Sequence, residues 1–247
     1  MRLDQMLVQR GLAQSRSRAR DAVLRKCVQV NGALATRPGQ GVGEKDKILV
    51  DDPAAKYVSR AALKLLAALD LCKFDITGKT CLDIGASTGG FTQVLLERGA
   101  AQIFAIDVGH GQMVEKIAND RRVYNLEGIN ARDLDEAMIA INGTTPDIGI
   151  VVSDVSFISL KLALPSALEI ARSGAECILL VKPQFEAGKD NIGKGGLLKL
   201  PELGPKIAQD LANWLDHQPG WHHTDILPSP VIGGDGNQEF LLCGRKQ

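Results

Sequence analysis

The stretch "TCLDIGASTGGFTQVLLERGA", residues 80–100, decides the fold of this chain. A short apolar run stops at Gly85. Gly89 and Gly90 then open a segment with apolar residues at helical spacing, so the chain leaves a strand, turns tightly and enters a helix. The pattern is not GxGxxG. Working outward, helices are predicted over 60–70, 90–98, 112–118, 162–170 and 201–214. Between them lie the apolar strands "QIFAIDVG", "DIGIVVSDV", "ECILLVKP" and "EFLLCGR". Apolar runs buried on both faces and separated by helices indicate an α/β fold, a doubly wound, mainly parallel, Rossmann-like sheet. In such sheets ligands bind at the carboxyl ends of the strands.

The remainder of the composition narrows the class. The 247 residues are 45% hydrophobic and 23% charged, which supports a buried core and excludes wholesale disorder. The longest uncharged stretch, 84–96, is 13 residues, short of the ~18–20 that a membrane span requires. The N-terminus "MRLDQMLVQR" carries charges where a secretory signal would be apolar. The five cysteines are never closer than nine residues, and the four histidines lack ligand spacing to any of them. This reads as a cytoplasmic protein with no zinc site, no disulfide framework and no membrane association. The "WHHT" pair is read as solvated surface.

The zero net charge is unevenly distributed. Residues 1–37 hold eight Arg/Lys against Asp4 and Asp21, a surplus of six positive charges that the rest of the chain offsets. A basic module joined to an acidic one suits gripping a phosphate backbone in one part and chemistry in the other. Charge alone does not separate that reading from a solvated arginine-rich helix face. Two short helices, over 2–10 and 15–26, precede a strand at 27–30, an Asn31-Gly32 turn and a strand near 47–50. Residues 51–55 ("DDPAA") break both periodicities, which divides the chain into domains 1–55 and 56–247.

In the larger domain the polar residues at element ends carry the chemistry. Backbone amides around Ala86, Ser87, Thr88 and Gly89 suit a ligand carboxylate, and Asp83 an ammonium. Asp107, 24 residues beyond Asp83, closes the next strand where an acid accepts hydrogen bonds from ribose hydroxyls. Together these fit S-adenosylmethionine better than a nicotinamide dinucleotide. Lys64, Asp154, Lys182 and Glu239 are charges at the borders of apolar segments. Singly each reads as a surface charge, but the strand ends of one parallel sheet converge on one site. Phe157 is placed either to stack on a base or in the core. The glycine- and lysine-rich "EAGKDNIGKGGLLK" suits either a loop closing on substrate phosphates or a plain surface loop.

The order Lys64, Asp154, Lys182, Glu239 around "LDIGASTGGF" resembles the FtsJ-type ribose 2′-O-methyltransferases, a resemblance that implies these four as the catalytic tetrad. "RLDQMLV", "SRSRARDAV" and "VQVNG" resemble the αL RNA-binding domain, which implies RNA contacts at Arg2, Arg16, Arg20, Lys26 and Asn31. That family usually has glycine where this chain has Lys26. With "YVSRAALKL", "IDVGHGQ", "SDVSFISL", "KPQFEAGK" and "GNQEFLL" the chain resembles the TlyA family of ribosomal RNA methyltransferases along nearly its whole length. The resemblance implies 2′-O-methylation of a cytidine in ribosomal RNA or a ribosomal subunit. It also implies cofactor contacts at Asp83, Gly85, Ala86, Ser87, Thr88, Gly89, Gly90, Phe91, Asp107 and Asn130. The family has also been called hemolysin, which the absence of an apolar span disfavours. A non-catalytic RNA-binding or assembly factor on the same scaffold is the alternative that the four charges argue against.

Overall fold

Ser15 caps its helix as the spacing predicts, its hydroxyl accepting the Arg18 N–H at 3.3 Å. A computed structural model describes residues 1–247, which separate into the units Met1–Lys56 and Tyr57–Gln247. In the first, helices α1 (Leu3–Gln9) and α2 (Arg16–Leu24) join a three-stranded antiparallel sheet. Its strands are β1 (Val28–Val30), β2 (Ala33–Leu34) and β3 (Ile48–Val50), in the order β2-β1-β3. Asn31 and Gly32, at φ 52° and 81°, make the two-residue turn between β1 and β2. Leu3, Leu7, Ala19, Val23, Val28 and Ile48 form the core. Lys26 stands at φ 63°, a left-handed conformation that accounts for glycine being usual at this position.

The second unit is built on a seven-stranded sheet. In chain order its elements are α3 (Ala62–Cys72), β4 (Thr80–Ile84), α4 (Gly90–Glu97), β5 (Gln102–Asp107), α5 (Glu115–Ala118) and β6 (Val123–Glu127). There follow α6 (Glu136–Ile139), β7 (Ile148–Ser153), α7 (Leu160–Ala163), α8 (Pro165–Ile170), β8 (Glu176–Val181) and α9 (Pro183–Glu186). The unit ends with α10 (Leu203–Asp216), β9 (Trp221–Pro228) and β10 (Phe240–Lys246). The strand order is β6-β5-β4-β7-β8-β10-β9, with β6 to β8 parallel and β10 antiparallel to both its neighbours. Strand alternation feeds two cores. Cys81, Ile150, Ile178 and Leu241 face Leu65, Leu69, Val94 and Leu95 of α3 and α4. Leu82, Val151, Leu179 and Leu242 face Leu160, Leu168, Leu211 and Leu215 of α7, α8 and α10.

Three expectations need correction. The helix expected over 162–170 is two short helices, because Pro165 lacks the N–H that would continue the ladder, although Leu164 before it stays in the helical region at φ −106°, ψ −14°. The helix expected over 112–118 is confined to Glu115–Ala118, since the Glu127 carboxylate draws the amides of residues 111–113 out of any helix. The "WHHT" segment begins a strand that was not expected, β9, with Trp221 buried and its indole N–H donating to Leu168 O, while the histidines do lie at the surface, His222 exposed and His223 Nδ1 2.7 Å from Asp216 Oδ2. Strands β2 and β6 were not anticipated either.

Candidate active site

The sheet changes direction of growth between β4 and β7, which opens a crevice at their carboxyl ends. Gly85 closes β4 there at φ 83°, and a Cβ on it would lie 3.0 Å from the Val155 backbone nitrogen, so the two strand-end loops meet only because this residue has no side chain. Asp154 and Lys182 immediately follow β7 and β8. Because β10 runs antiparallel and pairs Phe240 with Val181, its first end lies on the same edge, which sets Glu239 beside Lys182. Helix α3 contributes Lys64 from its first turn.

The four charges form two ion pairs. Lys182 Nζ lies 2.6 Å from Asp154 Oδ1, and Lys64 Nζ lies 2.5 Å from Glu239 Oε2. All four side chains are between 3% and 15% exposed, so each charge depends on its partner in a poorly solvated place. Burial pushes the Glu239 carboxyl up, against the pull of Lys64. Lys182 also donates to Ser156 Oγ at 2.7 Å and to the Asp154 carbonyl oxygen at 3.4 Å.

Three cavities meet at these residues. The first, about 530 Å³, is lined by Lys64, Lys182 and Glu239 on one side and by Gly195, Gly196 and Asp235 on the other. The second, about 440 Å³, is lined by Gly85, Asp107, Val108, Ile129 and Asn130. The third, about 150 Å³, is lined by Ala86, Ser87, Thr88, Gly90 and Phe91. Asp154 and Ser156 line all three.

Other expected residues occupy varied places. Asp107 accepts the Ser87 and Gly109 N–H groups at 2.8 and 2.7 Å while facing the second cavity. Asn130 faces the same cavity, and its Oδ1 accepts the Arg132 N–H. Gly89, at φ 91°, packs against Ile117. Asp83 lies behind the cavity walls, fully buried. Thr92 donates to its Oδ2 at 2.6 Å, its Oδ1 has no partner, and burial pushes its carboxyl up to about 7. Phe157 is 90% exposed at φ 66°, beside Phe185 with ring centroids 5.1 Å apart, so the turn after β7 holds it out of the core.

In the first unit, Asp4 is fully buried and pairs with Arg2 and Arg16 at 3.0 and 3.4 Å, the Arg2 hydrogen bonds holding its carboxyl down to about 2. Both guanidiniums remain about half exposed. Arg20 and Lys26 are exposed. Asn31 stays exposed in its turn, its side chain donating to Asp46 and accepting the Lys47 N–H. Arg10, Arg18 and Arg25 direct guanidinium N–H groups to backbone carbonyls or to Asp21 and Asp52, so the N-terminal surplus overstates the charge presented to a partner.

Sequence reasoning missed Ser156, Glu127, Asp235 and Asn237. Glu127 lies at the end of an edge strand that is half-buried along its whole length, so no alternation marks it. Asn237, 5% exposed, accepts the Leu198 N–H and donates to Gly196 O, which ties the glycine-rich loop to the segment before Glu239.

Residues 57–246 match the FtsJ-like methyltransferase family and residues 1–48 the S4 domain. The chain is 42% identical over 247 residues to the 16S/23S rRNA (cytidine-2′-O)-methyltransferase TlyA of Mycobacterium tuberculosis, covering 100% of this chain and 90% of that protein. The chain belongs to the TlyA family of FtsJ-like methyltransferases. A second relative, Hemolysin A of Brachyspira hyodysenteriae, is 40% identical with 98% of each chain covered. A solved hemolysin-named structure from Streptococcus thermophilus superposes with a TM-score of 0.75 at 34% identity, covering 100% of this TlyA-family chain and 88% of that one. No helix here is long and apolar enough to cross a membrane.

Proposed function

We propose that this protein transfers a methyl group from S-adenosylmethionine to the ribose 2′-hydroxyl of a cytidine in ribosomal RNA. The observation that carries this reading is the Lys182–Asp154 pair standing where the first cavity meets the other two. A group held at Gly85–Phe91 and Asp107 would there present its reactive end to a group held in the first cavity. The residues fit that donor. Val108 and Ile129 offer an apolar slot for an adenine, Asp107 retains lone pairs for ribose hydroxyls, and the Gly85 turn admits close backbone approach.

When bound, S-adenosylmethionine supplies an electrophilic methyl on a cationic sulfur. Lys182 orients the 2′-hydroxyl and takes its proton as the oxygen bonds the methyl carbon and the S–C electron pair stays on sulfur. Asp154 fixes the Lys182 nitrogen, and the Lys64–Glu239 pair supports it from the β10 side. Much of the acceleration comes from alignment, since the reaction needs two groups in line more than it needs strong acid or base. Phe157 gives an exposed ring on which the acceptor base can stack. Arg2, Arg16, Arg20 and Lys26 grip phosphates, as expected of an S4 domain.

The test is Lys182→Ala. S-adenosylmethionine affinity by calorimetry is expected to stay within about threefold, while single-turnover methylation of ribosomal RNA falls by ~10² to 10⁴. A fall of less than tenfold would sink the assignment of Lys182. Mapping of 2′-O-methyl groups in ribosomal RNA from cells with and without the protein identifies the nucleotide.

A further inference from the structure

The Lys182 ammonium has three N–H donors and three oxygens around it: Asp154 Oδ1 at 2.6 Å, Ser156 Oγ at 2.7 Å and the Asp154 carbonyl at 3.4 Å. The third contact is long, at the outer limit of a useful hydrogen bond. An amine that has given up one proton keeps two N–H bonds and gains one lone pair. Asp154 Oδ1 is an ion-pair contact outside hydrogen-bond geometry, so the neutral amine keeps its two N–H bonds on Ser156 Oγ and the Asp154 carbonyl, and the lone pair takes the remaining direction. Lys182 lines the first cavity, the one assigned above to the acceptor nucleotide.

We propose that Ser156 is a positioning residue for Lys182, accepting one N–H bond so that the nitrogen lone pair is directed at the acceptor 2′-hydroxyl. The inference rests on the reading of Lys182 given above. The local backbone is built for it. Immediately after β7 the chain turns, Phe157 takes φ 66°, a conformation costly for a bulky side chain, and the turn leaves Ser156 under Lys182 while the Phe157 ring faces solvent. Ser156 is exposed rather than part of a core, so its hydroxyl is not needed to fill space. Asp154 alone, with only its carbonyl oxygen in hydrogen-bond geometry, would leave the nitrogen free to rotate about that contact. The second acceptor removes this freedom.

The experiment compares Ser156→Ala, Ser156→Thr and Lys182→Ala in the full-length protein. It measures S-adenosylmethionine affinity by calorimetry and single-turnover methylation of ribosomal RNA at saturating donor from pH 6 to 10. For Ser156→Ala the rate at saturation falls roughly 10- to 100-fold, while donor affinity changes less than about threefold. The inflection of its pH–rate profile moves to lower pH, because the ammonium has lost an acceptor that favours its charged form. Ser156→Thr, which restores a hydroxyl at the same carbon, recovers most of the rate. The proposal is overturned if Ser156→Ala stays within twofold of the parent with its inflection unmoved, or if Ser156→Thr is as slow as Ser156→Ala. It is also overturned if the loss disappears at saturating donor, which makes Ser156 a donor contact. If Lys182→Ala keeps its rate, the reading of Lys182 fails and takes this one with it. A slow Lys182→Ala with an unchanged Ser156→Ala removes Ser156 alone.

Discussion

Asp83 is a carboxyl group from which water is shut out, with Asp154 and Asp107 adding their repulsion to the cost of charging it. Its folded value of about 7 exceeds the ordinary 3.8, so between these pH values the folded chain holds a proton that the unfolded chain has released. Stability contributed by this group is therefore complete below pH 4 and is lost as pH rises to 7. Asp83→Asn, which cannot ionise, is expected to gain on the parent by a few kcal/mol between pH 5 and 8. Thermal unfolding across that range checks it, and parallel profiles for the two proteins would refute it. The same contrast between charge and apolar surroundings made Lys64, Asp154, Lys182 and Glu239 legible in the sequence. Ser156 was not legible, because a serine just after a strand end reads as an ordinary turn residue. What it does depends on a lysine 26 residues away that only the β7–β8 pairing brings near.

At the scale of elements, the central strands could be read because both faces are buried, and apart from Asp83 their polar residues stand at the strand ends. The edges could not. Val123–Glu127 is only half-buried along its whole length, and Trp221–Pro228 mixes buried and exposed positions, so neither has the composition of a buried strand. The break at Pro165 follows from its missing N–H. The glycine-rich segment after α9 was open between lid and plain loop. Its tie to Asn237 makes it a wall of the first cavity. Asn237→Ala leaves the Leu198 N–H and the Gly196 carbonyl without that partner, at a cost of about 1–3 kcal/mol. Faster tryptic cleavage at Lys189 or Lys194, with a raised KM for RNA, is the expected result. Equal cleavage rates would show that the wall stands without it.

For the whole molecule, two units each with its own core imply separable tasks. A chain beginning at Tyr57 is expected to fold and to bind S-adenosylmethionine, yet to bind ribosomal RNA weakly. Its salt dependence should be shallower, each lost phosphate contact removing ~0.7–0.9 from the slope of log K against log salt. Equal affinity and slope in filter binding would mean that the larger unit grips RNA unaided. The backbone at Phe157 has a different consequence. A non-glycine residue at positive φ costs about 1–3 kcal/mol, and a ring that is 90% exposed recovers little of it. Phe157→Asn, better suited to that conformation, is expected to melt at higher temperature and to methylate more slowly. A laboratory selection for heat resistance alone would then replace this residue early and yield hardier, less active descendants, whereas a selection that also scored methylation would keep it.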